Sequence, residues 1–537
     1  MKGKPDRPTR RSVLRAARTV VGWTLLSRLL GLLRDILSAA RFGAGAIWDA
    51  FTLAWTFPNL FRRLLGEGAL ASAFIPTLTE VRETEGAEEA SRLINAALSL
   101  LVLTLVAVAV VCLAILAVVP ADAFESLGNV EKLDLILRLL QVLVPYLVLI
   151  CLTAFLGAVL QTVGHFAAPA AAPVLLNVCW IGALLFLCPR VGDSPEQQIL
   201  AVAFAILFGG TVQVVACLPP LHRRGIRLRP TLNLRHPALG RVLKLMVPIV
   251  IGLAPTQFNI LADRLIAEAL VPGDGANSAL YYGTRMMQFP LALVGVAMAT
   301  AVLPALSAHA ARKDTEGQRK TLSEAIGITA FVAIPAAVGL MVLAWPIVRF
   351  LFEHGKFGPD ATDQTSRVIL GYTVGIPVIC VLQVVTRAFY AEGDTKTPVH
   401  TAMIAVACNI TLNLLLVGPL GAAGLALATS LSATVNLLLL LRVLRTRRGA
   451  VVARGLRTQV LRTLFLAGGM GLLVFLVYGL LDRLLTGGGL LLEGVVALVP
   501  VIVGVLGYIG GALVAGAPEL HWIRTAFASR GSDRETS

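Results

Sequence analysis

Apolar runs of about twenty residues, the length a helix needs to cross the hydrocarbon core of a bilayer, recur along the whole chain. Short stretches rich in Arg, Gly and Pro separate them. The runs predict about fourteen helices, near 18–41, 48–81, 93–119, 134–160, 170–189, 199–219, 242–271, 279–311, 321–349, 366–390, 398–417, 422–442, 460–482 and 491–516. With 57% hydrophobic and 14% charged residues and a mean hydropathy of +0.81, the 537 residues carry more apolar surface than a soluble core could bury. The fold class expected is an all-α polytopic membrane protein.

The polar stretches carry a net charge of +15, which would suit nucleic acid if it formed one patch. It alternates instead. Taking the N-terminus as inside, the inner stretches (1–18, 80–93, 220–244, 308–320, Lys396, 442–462 and the tail) hold 31 Lys and Arg, and the outer stretches hold eight, Lys132 among them. Cytoplasmic loops of membrane proteins are the basic ones, so both termini are expected in the cytoplasm with an even helix count. Anionic headgroups of membrane lipids account for these loops, and no nucleic-acid motif accompanies them. The first apolar run is broken by Arg28, Arg34 and Asp35 and reads as a retained helix rather than a cleaved signal. The seven cysteines lack metal-type spacing and read as small core hydrophobes.

Catalytic signatures are absent from the sequence: no HExxH, Walker A, nucleophile elbow or Asp-x-Asp pair. The longest inner loop, 220–241, is too short for a nucleotide-binding domain. The chain is expected to be no enzyme, to need no cofactor, and to draw on an ion gradient or the membrane potential.

Phe57-Pro58 recurs as Phe289-Pro290 and Asn177 as Asn409, both offset by 232 residues. That offset implies two six-helix lobes in parallel orientation, a transporter arrangement with substrate bound between them. The organisation expected is a basic N-terminus (1–18), an N-lobe (19–219), a basic loop (220–241), a C-lobe (242–442), a loop (443–459), two further helices (460–516) and a tail (517–537).

Seven cations lie inside apolar segments, and all are arginines: Arg28, Arg34, Arg62, Arg63, Arg264, Arg285 and Arg387. A cation there costs several kcal/mol and points to function, and guanidinium grips phosphate in a fork that ammonium cannot form. Arg28 and Asp35, seven apart, share a helix face, with Arg34 about 100° away. Arg63 can pair with Glu67 and Arg264 with Glu268, each four residues on. Arg387 is placed to snorkel to the inner interface. Arg28, Arg34, Arg62 and Arg285 are left as the substrate candidates, able to line a central cavity and hold a pyrophosphate or to lock the lobes together.

The stretch from Ser27-Arg28 through Arg34-Asp35, then Phe42-Gly43-Ala44-Gly45, Asp49-Ala50-Phe51 and Phe57-Pro58 through Arg62-Arg63 to Glu67-Gly68-Ala69, resembles the MurJ/MviN family of lipid II flippases. Tyr281 to Arg285, Phe352 to Phe357 and Gly393 to Val399 continue the resemblance. It implies the multidrug/oligosaccharidyl-lipid/polysaccharide exporter fold with fourteen helices in the bacterial inner membrane. It also implies alternating-access transfer of lipid II, an undecaprenyl-pyrophosphate-linked precursor, to the outer leaflet. By position Arg28, Arg34, Arg62 and Arg285 match the family's cavity arginines and Asp35, Asp49 and Glu67 its acidic positions, with Arg63 and Arg264 as supporting charges. Thr56 stands where many members have Lys, and Thr284 where an acidic residue is often seen. The helices at 460–516 resemble a pair that forms a lipid-tail groove, other cell-wall synthesis proteins are implied partners, and a monomer is expected.

A second polar set is Asp263, Asn409, Asn413 and Thr429, whose oxygens suit Na⁺ or H⁺ coupling. The alternative is that they join helices structurally. Rival functions are export of another polyprenyl-linked oligosaccharide, or a multidrug antiporter, whose cationic drugs an arginine-rich interior would repel.

Overall fold

The computed structural model describes residues 10–118, 130–231, 233–449, 455–485 and 489–520. The predicted basic N-terminus and tail therefore fall largely outside the described residues. Each predicted apolar run lies within a helix, to within two residues at its ends, except that at 366–390, which is broken. The helices are α1 (Arg10–Phe42), α2 (46–84), α3 (Ala87–Val118), α4 (Val130–Thr162), α5 (Ala167–Val191), α6 (Pro195–Arg223), α7 (Pro237–Leu270) and α8 (Ala276–Ala311). There follow α9 (Thr315–Phe352), α10 (Pro359–Thr373 with Ile376–Ala391), α11 (Lys396–Leu420), α12 (Ala422–Arg448), α13 (Leu456–Leu484) and α14 (Leu490–Val514). Most are longer than the runs, because a run marks only the hydrocarbon-crossing part while the helix continues into polar residues.

Eleven helices among the described residues are long and apolar enough to cross a membrane, and twelve if α10 is one span. The two left out, α1 and α2, are those in which the sequence places its densest intramembrane charge. The continuous tenth helix expected at 366–390 is instead bent by 41°. Pro377 cannot donate to the ladder there, and Ser430 of α12 approaches closely enough to donate its hydroxyl to the Gly371 carbonyl at 2.7 Å. A Cβ on Gly375 would meet Ser430, so glycine is what admits the contact. Both Phe-Pro pairs lead into π-helical stretches, Arg62–Leu70 in α2 and Leu291–Val296 in α8. Such bulges follow naturally where proline disrupts the ladder, and they recur at functional sites.

The helices cluster into two units, 1–269 and 270–537. In the first, α4 is central, packing on α2, α3 and α6, while α1 packs on α5. Phe74, Leu78, Leu93, Phe155, Leu156 and Leu160 form its main core, which Ala238, Leu239 and Val242 at the start of α7 join. The division after Ala269 leaves α7 with α1–α6, one helix later than the loop where the sequence divides its lobes. That loop is held along α3: the Arg229 amide donates to Asn95 Oδ1 at 2.9 Å and the Thr231 amide to Ser99 Oγ at 2.9 Å.

In the second unit α11 packs on α12 and α10 on both α8 and α12. Helix α9 carries α13 and α14 through Phe331, Met470, Val474 and Tyr508, whose hydroxyl donates to the Phe331 carbonyl at 2.8 Å. Gly421, at φ 56° and ψ −137°, makes the turn between α11 and α12 in a conformation open essentially to glycine alone. All seven cysteines are free thiols, four of them buried.

The Gly393-Asp394-Thr395-Lys396-Thr397 motif forms the entry to α11. Asp394 accepts from the Thr397 amide at 3.0 Å, the Thr397 hydroxyl at 2.6 Å and Arg447 Nη1 at 2.6 Å. Partial burial opposes the charge, but the Thr397 bonds and Arg447 outweigh it and hold the carboxyl at about 2, below 3.8. A depressed carboxylate stabilises the fold above its unfolded value, and that contribution fades as pH falls toward the folded value. Asp394→Asn is expected to lower the thermal midpoint at neutral pH, with the gap to the parent closing between about pH 4 and pH 2. Unfolding of the detergent-solubilised proteins across that range checks it, and a pH-independent gap contradicts it.

Candidate substrate-binding arginines

Arg34 is the most enclosed of the four substrate candidates, with a side chain 9% exposed. Its Nε and Nη2 donate to Asp35 Oδ1 at 3.0 and 2.7 Å, and its Nη1 donates to Asn177 Oδ1 of α5 at 2.9 Å. The guanidinium also lies over the Trp180 ring, 4.6 Å from its centroid. Residues adjacent on a helix do not normally face each other. Here the groups on α5 draw the long arginine arm to the side where it reaches its neighbour, a pairing that the face shared by Arg28 and Asp35 did not suggest. Trp180 is itself fixed edge-on against Phe51 and Trp55.

Asn177 acts on α1 twice, because its Nδ2 donates to the Ser27 carbonyl at 3.1 Å. Gly31 lies directly below, where a Cβ would come 3.7 Å from that nitrogen. One amide thus joins the backbone of α1 at Ser27 to the arginine about two turns beyond. Arg28 lies on the same helix and is exposed.

On α2, Asp49 is buried in the first turn, and Lys132 Nζ lies 3.2 Å from its Oδ2. Thr56 turns its hydroxyl back to the Thr52 carbonyl at 2.8 Å. Arg62, half-buried at the start of the π-helical stretch, donates from Nε to Asn59 Oδ1 at 3.1 Å. Arg63 is half-buried as well; the Glu67 side chain proposed to pair with it lies outside the described residues. On α7, Asp263 and Arg264 are each 8% exposed, and Asn259 Nδ2 approaches Asp263 Oδ2 at 3.4 Å. Glu268, which the spacing offered to Arg264, is reached by Lys132 at 2.8 Å.

In the second unit Arg285 is half-buried, donates from Nη2 to the Tyr281 hydroxyl at 3.2 Å, and lies 5.0 Å from that ring's centroid. Tyr281 packs edge-on against Tyr282, which Phe352 and Phe357 hold. Arg387 lies over Tyr390 at 5.7 Å. The structure brings three of the second polar set together: Asn413 Nδ2 donates to Asn409 Oδ1 at 2.9 Å, and Asn409 Nδ2 reaches Thr429 Oγ1 at 3.4 Å. Both asparagines are fully buried.

The sequence profile described as lipid II flippase MurJ matches residues 38–491. The chain belongs to the MurJ family. A probable lipid II flippase MurJ of Vibrio cholerae is 37% identical over 438 residues, covering 80% of this chain and 82% of the relative. The lipid II flippase MurJ of Burkholderia cenocepacia is 36% identical over 445 residues, 81% of this chain and 84% of the relative. Among solved structures, a lipid II flippase MurJ in an inward closed conformation aligns with a TM-score of 0.77 at 26% identity, covering 92% of this chain and 98% of that one. An inward-facing multidrug resistance MATE family transporter of the MOP superfamily aligns at 0.68 and 16% identity, covering 81% and 98%, a likeness of fold alone.

Asn177, the acceptor of Arg34 on α5, is marked in the sequence only as a repeat position. The Asn177→Ala variant leaves a buried charged donor without that acceptor, which is expected to cost about 1–3 kcal/mol of stability. Denaturant unfolding of the solubilised protein measures it; an unchanged midpoint contradicts the clamp.

Proposed function

We propose that the chain moves lipid II from the inner to the outer leaflet of the bacterial inner membrane by alternating access, as a transporter with no chemical step. Membership of the MurJ family, whose matched relatives are described as lipid II flippases, carries the reading. The intramembrane guanidinium groups supply its chemistry. A pyrophosphate presents several anionic oxygens suited to forked contacts, and Arg28, Arg34, Arg62 and Arg285 each contact it during the cycle. Arg34 exchanges its carboxylate neighbour Asp35 for substrate oxygens, so the charge is never left bare in a low-dielectric setting. Fourteen crossings, both termini in the cytoplasm and a lipid-tail role for α13 and α14 belong to the same proposal. Asp263 on α7, and Asn409, Asn413 and Thr429 on α11 and α12, are proposed as oxygen donors for Na⁺ or H⁺ coupling.

Changing any of the four arginines to Ala is expected to reduce lipid II transfer in proteoliposomes by about a hundredfold or more, the scale of losing a charge-assisted contact worth roughly 3 kcal/mol. Lys is expected to restore little, because a point charge lacks the fork. Normal transfer by all four Ala variants, at parent levels of inserted protein, would defeat the reading. Imposing Na⁺ or H⁺ gradients on the same vesicles tests the coupling oxygens: Asp263→Asn is expected to lose gradient stimulation, and an equal response in parent and variant removes Asp263 from coupling.

A further inference from the structure

We propose that Lys132 is a positioning residue for transport: a buried ion lock through which α4 holds the start of α2 and the end of α7. The sequence counts Lys132 among the outer loop cations, yet its side chain is only 8% exposed, in the first turn of α4. Its ammonium lies 3.2 Å from Asp49 of α2, which is 1% exposed, and 2.8 Å from Glu268 of α7, which is 10% exposed. Two carboxylates from two helices thus converge on one nitrogen that belongs to a third. An ammonium suits this place better than a guanidinium, since it is a compact charge that donates in three directions rather than in one plane.

Helix α7 is buried near both ends, at Ala238, Leu239 and Val242 and again at Asp263, Arg264 and Ala267, and thinly covered between them. Only 6% of its most apolar stretch is buried, and Pro248 and Pro255 each delete a ladder bond in its middle. The end away from Glu268 is anchored by Ala238, Leu239 and Val242 in the first unit's core and by Arg241, 2.7 Å from Glu80. A helix held at both ends, at one of them partly by buried charge, with a weakened centre, can change direction when the charges separate. Charged contacts also have a second stable arrangement in reach, because each carboxylate can find water or another donor once the helix shifts, whereas an apolar seam cannot. Opening and closing of the Lys132 contacts therefore sets the direction of α7 during transport.

The role in transport rests on the lipid II reading, but the lock itself can be measured apart from cargo. Spin labels at Arg138→Cys on α4 and Ala269→Cys at the end of α7, both exposed positions, are introduced with the seven native cysteines replaced. The parent is expected to give one narrow distance distribution. Lys132→Met and Glu268→Gln are expected to add a longer, broader population and to slow lipid II transfer about tenfold or more, as loss of one partner of a buried pair does. Lys132→Arg keeps the charge between Asp49 and Glu268 and is expected to hold both readouts nearer the parent than Lys132→Met does, which separates a lost lock from a misfolded protein. Parent-like distances in both single variants overturn the lock. Altered distances with unimpaired transfer reduce Lys132 to a staple and overturn its role in transport. If the parent itself moves no lipid II, the cargo reading falls, and the distances alone decide whether Lys132 holds α7.

Discussion

A guanidinium ion cannot be deprotonated to escape an apolar environment, so each arginine within a membrane helix must bring its acceptors with it. Arg34 shows what that demands. Asp35 supplies the opposite charge, Asn177 a neutral oxygen and Trp180 a π face. To place the last two, α5 must lie against α1 at a fixed height, with Gly31 leaving room for the amide and Phe51 and Trp55 fixing the indole. The packing of α1, α2 and α5 in the first unit follows from satisfying one charge.

Lys132 answers the same constraint with different chemistry. Arg34 takes its donors' partners from its neighbour and one facing helix, whereas Lys132 draws carboxylates from two separate helices. The first arrangement joins α1 to α5; the second ties the start of α2 and the end of α7 to α4. Arg285, stacked on Tyr281 within an aromatic group, is a third solution, in which a ring face and a hydroxyl accompany a charge that remains half-buried.

Helix positions were legible because runs of apolar residues are a direct consequence of the bilayer, and the arginines stood out against them. The partners were harder to read. Asn177 sits within an apolar run and shows itself only through its 232-residue echo at Asn409. Lys132 lies where a run begins, so its sequence position matches that of a loop cation although three helices enclose it. Pro377 marks the break in α10 locally, but the Ser430 hydroxyl that meets the Gly371 carbonyl comes from another helix, and no local pattern reports it. Helical spacing correctly set Asn409 and Asn413 on one face, but it could not foresee Arg34 turning sideways to Asp35. Periodicity describes faces, while the reach of a long side chain is decided by what stands opposite.

An inward-facing MATE family transporter shares this fold at 16% identity. The central claim is that the intramembrane arginines recognise a pyrophosphate. Its most direct measurement is the affinity of the purified protein, by native mass spectrometry in one detergent, for three ligands. These are lipid II, undecaprenyl pyrophosphate without sugar or peptide, and undecaprenyl monophosphate. The account predicts that removing sugar and peptide weakens binding less than removing one phosphate does. Equal affinity for the two undecaprenyl phosphates, with strong dependence on the sugar and peptide, would contradict it.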